Sequence, residues 1–321
     1  MADCNMMAYR ELLQEKVPVG AVVLKSQTGD APERPRRITE EGVVREGIWT
    51  GEGRPACHLL SNGQINCFCA ADGSNRTVWR EFLLTGGDGI SCYLYAEGAV
   101  SPLTPNSWRF DGGASWTTET EGFTALRILR TAEKAPGVSW EVRLRRKGNE
   151  PLPGELVLYL EPILARERDF EAHPAYVKLF VESAYTGDGI VFARRPRRQG
   201  EPVPALAVVW DAETAFFDTS RESALGRGGL SALPQALRRQ ARSSAGAVLD
   251  PCLLLRIPLT LSPGRTSAFR FALAISYSGE EALEEARALL HEGTAGTDKN
   301  QNRLIELCGL TGETALQAFE L

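Results

Sequence analysis

The sequence predicts a mainly β fold, an antiparallel sandwich or barrel with a short helical tail. Three observations carry this expectation. Apolar residues take every second place in several segments, turn signals recur every ~8–12 residues, and the spacing switches to a helical period near residue 278. The clearest alternation is Val138-Ser139-Trp140-Glu141-Val142-Arg143-Leu144-Arg145, which buries one face and wets the other.

Taken in order, Met6 to Lys16 has the pattern of a short amphipathic helix, ended by Val17-Pro18. Residues 26–56 are rich in Gly, Pro, Glu and Arg and read as an irregular linker. Ala56 to Leu60 and Gln64 to Ala70 flank Ser61-Asn62-Gly63, and Asn-Gly is a strong hairpin signal. Phe123 to Thr131 pairs with the alternating strand through Ala135-Pro136-Gly137. Leu156 to Leu164 is almost wholly apolar, as a central strand of a two-layer sandwich should be. Val177 to Tyr185, Ile190 to Arg194, Ala205 to Trp210, Cys252 to Leu261 and Ser267 to Ser276 complete the strands. Beyond a Ser278 cap, Ala282, Leu283, Ala286, Leu289 and Leu290 make one apolar helix face. Further short segments follow at 302–307 and 312–321. These boundaries divide the chain into 1–55, a helix and linker; 56–277, a β-domain; and 278–321, a helical linker. Ala315, Leu316 and Phe319 form a last apolar stripe. It suits a helix docked on the β-domain or a linker leading to another domain.

The composition narrows the function. The chain has 321 residues, 43% hydrophobic and 24% charged, with a net charge of -5 and a pI near 5.5. A nucleic-acid partner is not expected, because phosphate binding needs a basic surface. No apolar run is long enough to cross a membrane as a helix. Met1-Ala2-Asp3-Cys4-Asn5 does not open a secretory signal. Seven cysteines without a Cys-x-x-Cys pair suggest free thiols in a reducing cytoplasm.

Few residues suggest chemistry. The three histidines are His58, His173 and His291, and neither a Gly-x-Ser-x-Gly elbow nor a phosphate-binding glycine loop is present. With a two-residue turn at Asn62-Gly63, His58 would face Cys67, with Cys69 on the same side. Three such ligands could converge on a metal, but small thiols on the buried face of a hairpin are the stronger reading, so no metal and no cofactor is expected. His173, beside Asp169 and Glu171, suits either acid–base work on a sugar or ordering of its loop. Trp140 and Trp210 lie in strong strand patterns and belong to the core. Trp79 and Trp116 have polar, turn-forming neighbours and are the expected exposed platforms for a sugar. Asp72, Asn75, Arg76 and Arg80 around Trp79 would supply hydrogen bonds to hydroxyls.

Several segments, in order, resemble the glycoside hydrolase family 94 phosphorylases and the phosphorylase-like part of cyclic β-1,2-glucan synthases. They are Ala8 to Pro18, His58-Leu59-Leu60-Ser61-Asn62-Gly63, His173 to Glu182, Leu225-Gly226-Arg227-Gly228, Ala247 to Pro251, and Ser278 to Leu283. The resemblance implies an antiparallel supersandwich of the galactose-mutarotase type. It also implies linker helices and a catalytic (α/α)6 barrel, which would carry the acid and the phosphate site. There are departures. Asp72 to Arg80 stands where the family has a Gly-rich loop with Tyr-Ser, and Ala99-Val100-Ser101-Pro102 replaces Trp-Ser-Pro. The expected function is a non-catalytic supersandwich domain. It would pack on a barrel, contact a second copy of itself as a homodimer, and shape a cleft for a β-glucan or oligosaccharide. The alternatives are a stand-alone carbohydrate-binding module and a mutarotase-like enzyme using His173.

Overall fold

The computed structural model describes residues 36–39, 42–196, 198–240 and 243–292. The expected helix at 6–16 and the segments at 302–307 and 312–321, with the stripe at Ala315, Leu316 and Phe319, lie outside the described residues.

In chain order the strands are β1 Arg36–Thr39, β2 Gly42–Ile48, β3 Cys57–Ser61, β4 Ile65–Ala70, β5 Asn75–Trp79, β6 Phe82–Thr85, β7 Ser91–Ala96, β8 Ala99–Pro102, β9 Ser107–Phe110 and β10 Ala114–Glu119. They continue with β11 Phe123–Thr131, β12 Gly137–Arg146, β13 Leu152–Leu160, β14 Pro162–Arg166, β15 Val181–Tyr185, β16 Gly189–Arg194, β17 Ala205–Trp210, β18 Phe216–Ser220, β19 Pro251–Leu261 and β20 Thr266–Ser276. The helices are α1 Glu167–Ala172, α2 Pro174–Lys178, α3 Arg221–Leu225, a 3-10 segment Gly226–Ala232, α4 Leu233–Leu237 and α5 Gly279–Glu292.

Three antiparallel sheets result. The large one runs β1-β2-β9-β10-β11-β12-β20-β17-β16-β15. The two smaller ones run β18-β19-β13-β7-β8 and β14-β6-β5-β4-β3. The main core takes residues from all three, including Cys67 and Trp79, Leu94 and Leu156, and Phe110, Trp140 and Phe192. Along the inner face of the large sheet Trp116 stacks on Trp140 at 5.7 Å, and Trp140 stacks on Phe271 at 5.8 Å. Trp140 and Trp210 are core residues, as their alternation requires.

Helix α5 lays Ala282 and Ala286 on Ala207, Val209, Ala272 and Ala274, on the opposite face of the large sheet. Small residues on both sides let the helix approach closely. Its first turn is held by Ser278, whose Oγ accepts from the Glu281 amide at 3.4 Å. Helices α3 and α4 cover the second sheet through Ala224, Leu225, Leu233, Ala236 and Leu237, against Val157, Tyr159, Cys252 and Leu254.

Four local expectations are corrected. The stretch 26–56 is not all irregular: β1 and β2 pair with each other, and β2 pairs with β9. Leu156 to Leu164 is not one strand, since β13 and β14 lie in different sheets. The break falls at Glu161, and within β14 Leu164, with φ 51, sits at a bulge against β6. Val177-Lys178 ends a helix headed by Pro174, and the strand starts at Val181. The first hairpin is not a two-residue turn. Ser61 pairs with Asn66, so His58 faces Cys69 and Leu60 faces Cys67. The Asn62 side chain sets that longer turn. Its Oδ1 accepts from the amides of Gln64 and Ile65, while its Nδ2 donates to Ala132 and Ala135 carbonyls of the β11–β12 connection.

Candidate functional site

The loop between β4 and β5 closes over a polar cavity of about 200 Å³. Asp72 shapes the loop by accepting from the Ser74 amide at 2.9 Å and the Ser74 hydroxyl at 2.6 Å. Gly73 has φ +89, and a Cβ there would run into Arg127 Nη2, so the tight turn over the guanidinium requires glycine. Asp88, Ser91, Tyr93 and Thr104 complete the polar lining, and Arg127 contributes to it from β11.

Arg127 is the unusual member. It occupies an inward position of a central strand, between Ala125 and Leu129, and is 4% exposed. Its guanidinium lies 5.3 Å from the Trp116 ring. Its Nε is buried without a hydrogen-bond partner. Burial pushes its pKa down from the ordinary arginine value, opposed by Cys92, its hydrogen-bonding neighbour, and by the charge of Asp72. Burial in turn raises the Cys92 thiol to about 11. Among the described residues no carboxylate forms an ion pair with Arg127.

The residues expected to bind sugar meet different fates. Asp72 lines the cavity. Asn75 is buried, and its amide ties Ile90, Gly73 and Asp88 together, so it fixes the loop rather than facing a ligand. Arg76 pairs with Glu167 of α1. Trp79 is 5% exposed, packed edge-on to Tyr277 at 4.8 Å, and Trp116 is fully buried with its Nε1 donating to the Ala70 carbonyl at 2.7 Å. Neither is the exposed platform expected, because both sit on the inner face of their strands, a face they share with the buried polar residues Asn75, Thr77 and Thr118. Arg80 is exposed in the two-residue β5–β6 turn, with φ 53 and its guanidinium over Trp79 and Tyr277. His173 is exposed between α1 and α2, and its side chain caps neither helix.

His58 does not join the two cysteines as a ligand set, and the described residues hold no group of three His, Cys, Asp or Glu fit for a metal. Its ring stacks on Phe110 at 5.0 Å, and its Nε2 is buried without a partner. Burial, helped by the Arg45 charge, lowers its pKa to about 4, so it is neutral at pH 7. Cys67 and Cys69 are free thiols 3.9 Å apart on the buried face of β4.

A second charged cluster was not anticipated. Lys178 of α2 donates to Glu161 and, at 3.1 Å, to Asp250. Arg221 of α3 lies 3.3 Å from Glu161 and 3.2 Å from Asp250. The Tyr159 hydroxyl donates to Glu161 at 2.6 Å, and burial with that bond raises its pKa. Two of the family-like segments meet here. Lys178 comes from the one at 173–182 and Asp250 from the one at 247–251, and Gly229, just past Gly228, is where a Cβ would press on Arg221. Two cations face two carboxylates, so this cluster is neutral. Beside it Tyr176, Leu179 and Leu249 are exposed, Leu249 by 76%.

Residues 111–292, more than half of the chain, match the family model described as the glycosyl hydrolase 94 supersandwich domain. No curated protein matches the sequence. Among solved structures, a bacterial glucoamylase complexed with acarbose aligns with 83% of this chain and 41% of its own, at a TM-score of 0.52 and 10% identity. A protein assigned as a kojibiose phosphorylase, from the human microbiome, aligns over 90% of this chain and 39% of its own, at 0.44 and 9%. A protein assigned as an aldose 1-epimerase, from Escherichia coli K12, aligns over 70% of this chain and all of its own, at 0.42 and 10%. The chain thus spans about two fifths of the length of the first two. At these identities the likeness concerns fold alone.

Proposed function

The chain belongs to the glycosyl hydrolase 94 supersandwich domain family, and we propose that it serves as the non-catalytic β-sandwich domain of a β-glucan phosphorylase or cyclic β-1,2-glucan synthase-like protein. In this reading it packs against a catalytic (α/α)6 barrel and forms one wall of a glucan cleft. The observation that carries the reading is the use of the buried carboxylates. Glycosyl transfer needs a free carboxyl acid beside the scissile bond. Here Glu161 and Asp250 are held by Lys178 and Arg221, Glu155 by Arg256, and Asp218 by Ser223 and Ser244. These are structural commitments. The apolar residues beside the neutral cluster, Tyr176, Leu179 and Leu249, suit a surface that another domain covers. A reducing, cytoplasmic setting belongs to the same reading and suits the free thiols Cys57, Cys67, Cys69, Cys92 and Cys252.

The alternative of a carbohydrate-binding module has one observation in its favour, the polar cavity beside Arg127. The test of the main reading is phosphorolysis. The purified chain, given β-1,2-gluco-oligosaccharides and phosphate, is expected to release no glucose 1-phosphate above a buffer control. Turnover that a single substitution in this chain abolishes would overturn the non-catalytic assignment.

A further inference from the structure

We propose that the cavity beside Arg127 binds one neutral hexose unit, with Arg127 as the buried hydrogen-bond donor and Asp72 and Asp88 as acceptors. The reasoning starts from cost. A guanidinium taken out of water without a carboxylate partner is among the most unfavourable groups a β-sandwich can carry. Arg127 is inward-facing and 4% exposed, with an unpartnered Nε, a thiol and an indole face as its neighbours, and Asp72 acting through its charge without an ion pair. An apolar residue would serve that strand position better if packing were the only demand. The loop above it is shaped by a glycine that leaves room for the guanidinium and by an Asp72 turn that holds the lining in place.

The lining selects the ligand. One cation and two carboxylates, Asp72 and Asp88, leave the cavity with a net negative balance, so a phosphate or carboxylate is repelled. A sugar hydroxyl both donates and accepts, and can bridge a guanidinium and a carboxylate without adding charge. Ser91, Thr104 and Tyr93 add further donors and acceptors, and Tyr93 adds a ring. The volume, about 200 Å³, is below the ~300–1,000 Å³ typical of drug-sized ligand sites and suits one ring rather than a chain. The proposal rests on the glucan-cleft reading for its choice of sugar.

Trp116, 5.3 Å from the guanidinium, gives the measurement a nearby reporter. The chain is titrated with methyl β-glucoside, with a β-1,2-linked glucobiose and with inorganic phosphate, following tryptophan fluorescence and methyl-region NMR. Saturation is expected with both sugars at midpoints within about threefold of each other, because one ring is recognised, and no saturation is expected with phosphate. Arg127→Met, folded by circular dichroism, should bind at least tenfold more weakly. Asp88→Asn, a substitution at an exposed loop position, should bind several-fold more weakly and covers the case in which Arg127→Met does not fold. Absence of saturation with either sugar, unchanged midpoints in the folded variants, or saturation by phosphate instead would each overturn the proposal. The two readings fail separately. Lost sugar binding with no phosphorolysis removes only the cavity, whereas phosphorolysis by this chain removes the domain reading whatever the cavity binds.

Discussion

Two charge sites among the described residues solve the same problem in opposite ways. Around Lys178 and Arg221, each cation meets carboxylates, the net charge is zero, and a tyrosine hydroxyl fills a remaining lone pair. Around Arg127 no ion pair exists; Asp72 acts only through its charge, and a polar cavity adjoins the side chain. The first arrangement joins segments distant in sequence: the end of β13, α2, α3 and the lead into β19. The second also lies between sheets, since Arg127 of β11 reaches Cys92 of β7 beside the loop between β4 and β5. Both arginines bury an Nε without a hydrogen bond, so the difference lies in the ion pairs: Arg221 has two carboxylates within 3.3 Å and Arg127 has none.

The largest expected effect comes from breaking the complete cluster. Lys178→Met leaves Glu161 and Asp250 with Arg221 alone, and should cost about 2–4 kcal/mol of unfolding free energy by urea titration, toward the range for removing one partner of a buried pair. The carboxylates are 22% and 35% exposed in their side chains, which places the effect below that of a fully buried pair. A loss under about 0.5 kcal/mol would mean that the cluster is an ordinary surface network.

His58 offers a third kind of buried titratable group, stacked on Phe110 and neutral. Its folded pKa near 4 lies below the unfolded value near 6.5. The unfolded chain therefore binds the proton first, and stability falls as pH drops from about 6.5 through 4. The shift corresponds to roughly 3 kcal/mol lost across that window. In His58→Gln that part of the acid slope should vanish, seen as a flatter melting temperature between pH 6.5 and 4. An unchanged slope would place the imidazole in contact with water.

The smallest effect is expected at Arg80. Glycine relieves the positive φ of the β5–β6 turn, worth about 1 kcal/mol, while removing the stacking of the guanidinium on Trp79 and Tyr277, worth about 0.5–1 kcal/mol. Arg80→Gly should therefore lie within about 0.5 kcal/mol of the parent. A loss of 2 kcal/mol or more would make Arg80 a structural anchor of the Tyr277 corner.

The sheets were legible where alternation was long. The strands around Trp140, Trp210 and Phe271 could be read because their inward positions are all apolar. The strands between Asn75 and Glu119 were harder, because Ser, Thr and Asn sit at inward positions such as Asn75, Thr77 and Thr118. The same mixture misdirected the sugar platforms. Polar neighbours of Trp79 and Trp116 lie on both faces of their strands, Asn75, Thr77 and Thr118 among them inward, so polarity nearby did not mean exposure and each tryptophan is buried. Arg127 had a signal: in Phe123-Thr124-Ala125-Leu126-Arg127-Ile128-Leu129, period two places the arginine inward among apolar residues. What period two does not reveal is whether an inward charge finds a partner across the sandwich, and the Lys178–Glu161–Asp250–Arg221 cluster was hidden for that reason.

The most direct test of the contrast is the unfolding free energy of Arg127→Met, measured by urea titration with and without saturating methyl β-glucoside. The account predicts a variant as stable as the parent, or up to a few kcal/mol more so, since an unpaired buried charge is exchanged for a packed apolar side chain. It also predicts that the glucoside stabilises the parent and not the variant, because a ligand stabilises only the state that binds it. A variant destabilised by 3 kcal/mol or more, with the same response to glucoside as the parent, would contradict it: Arg127 would then be as complete a structural group as Lys178.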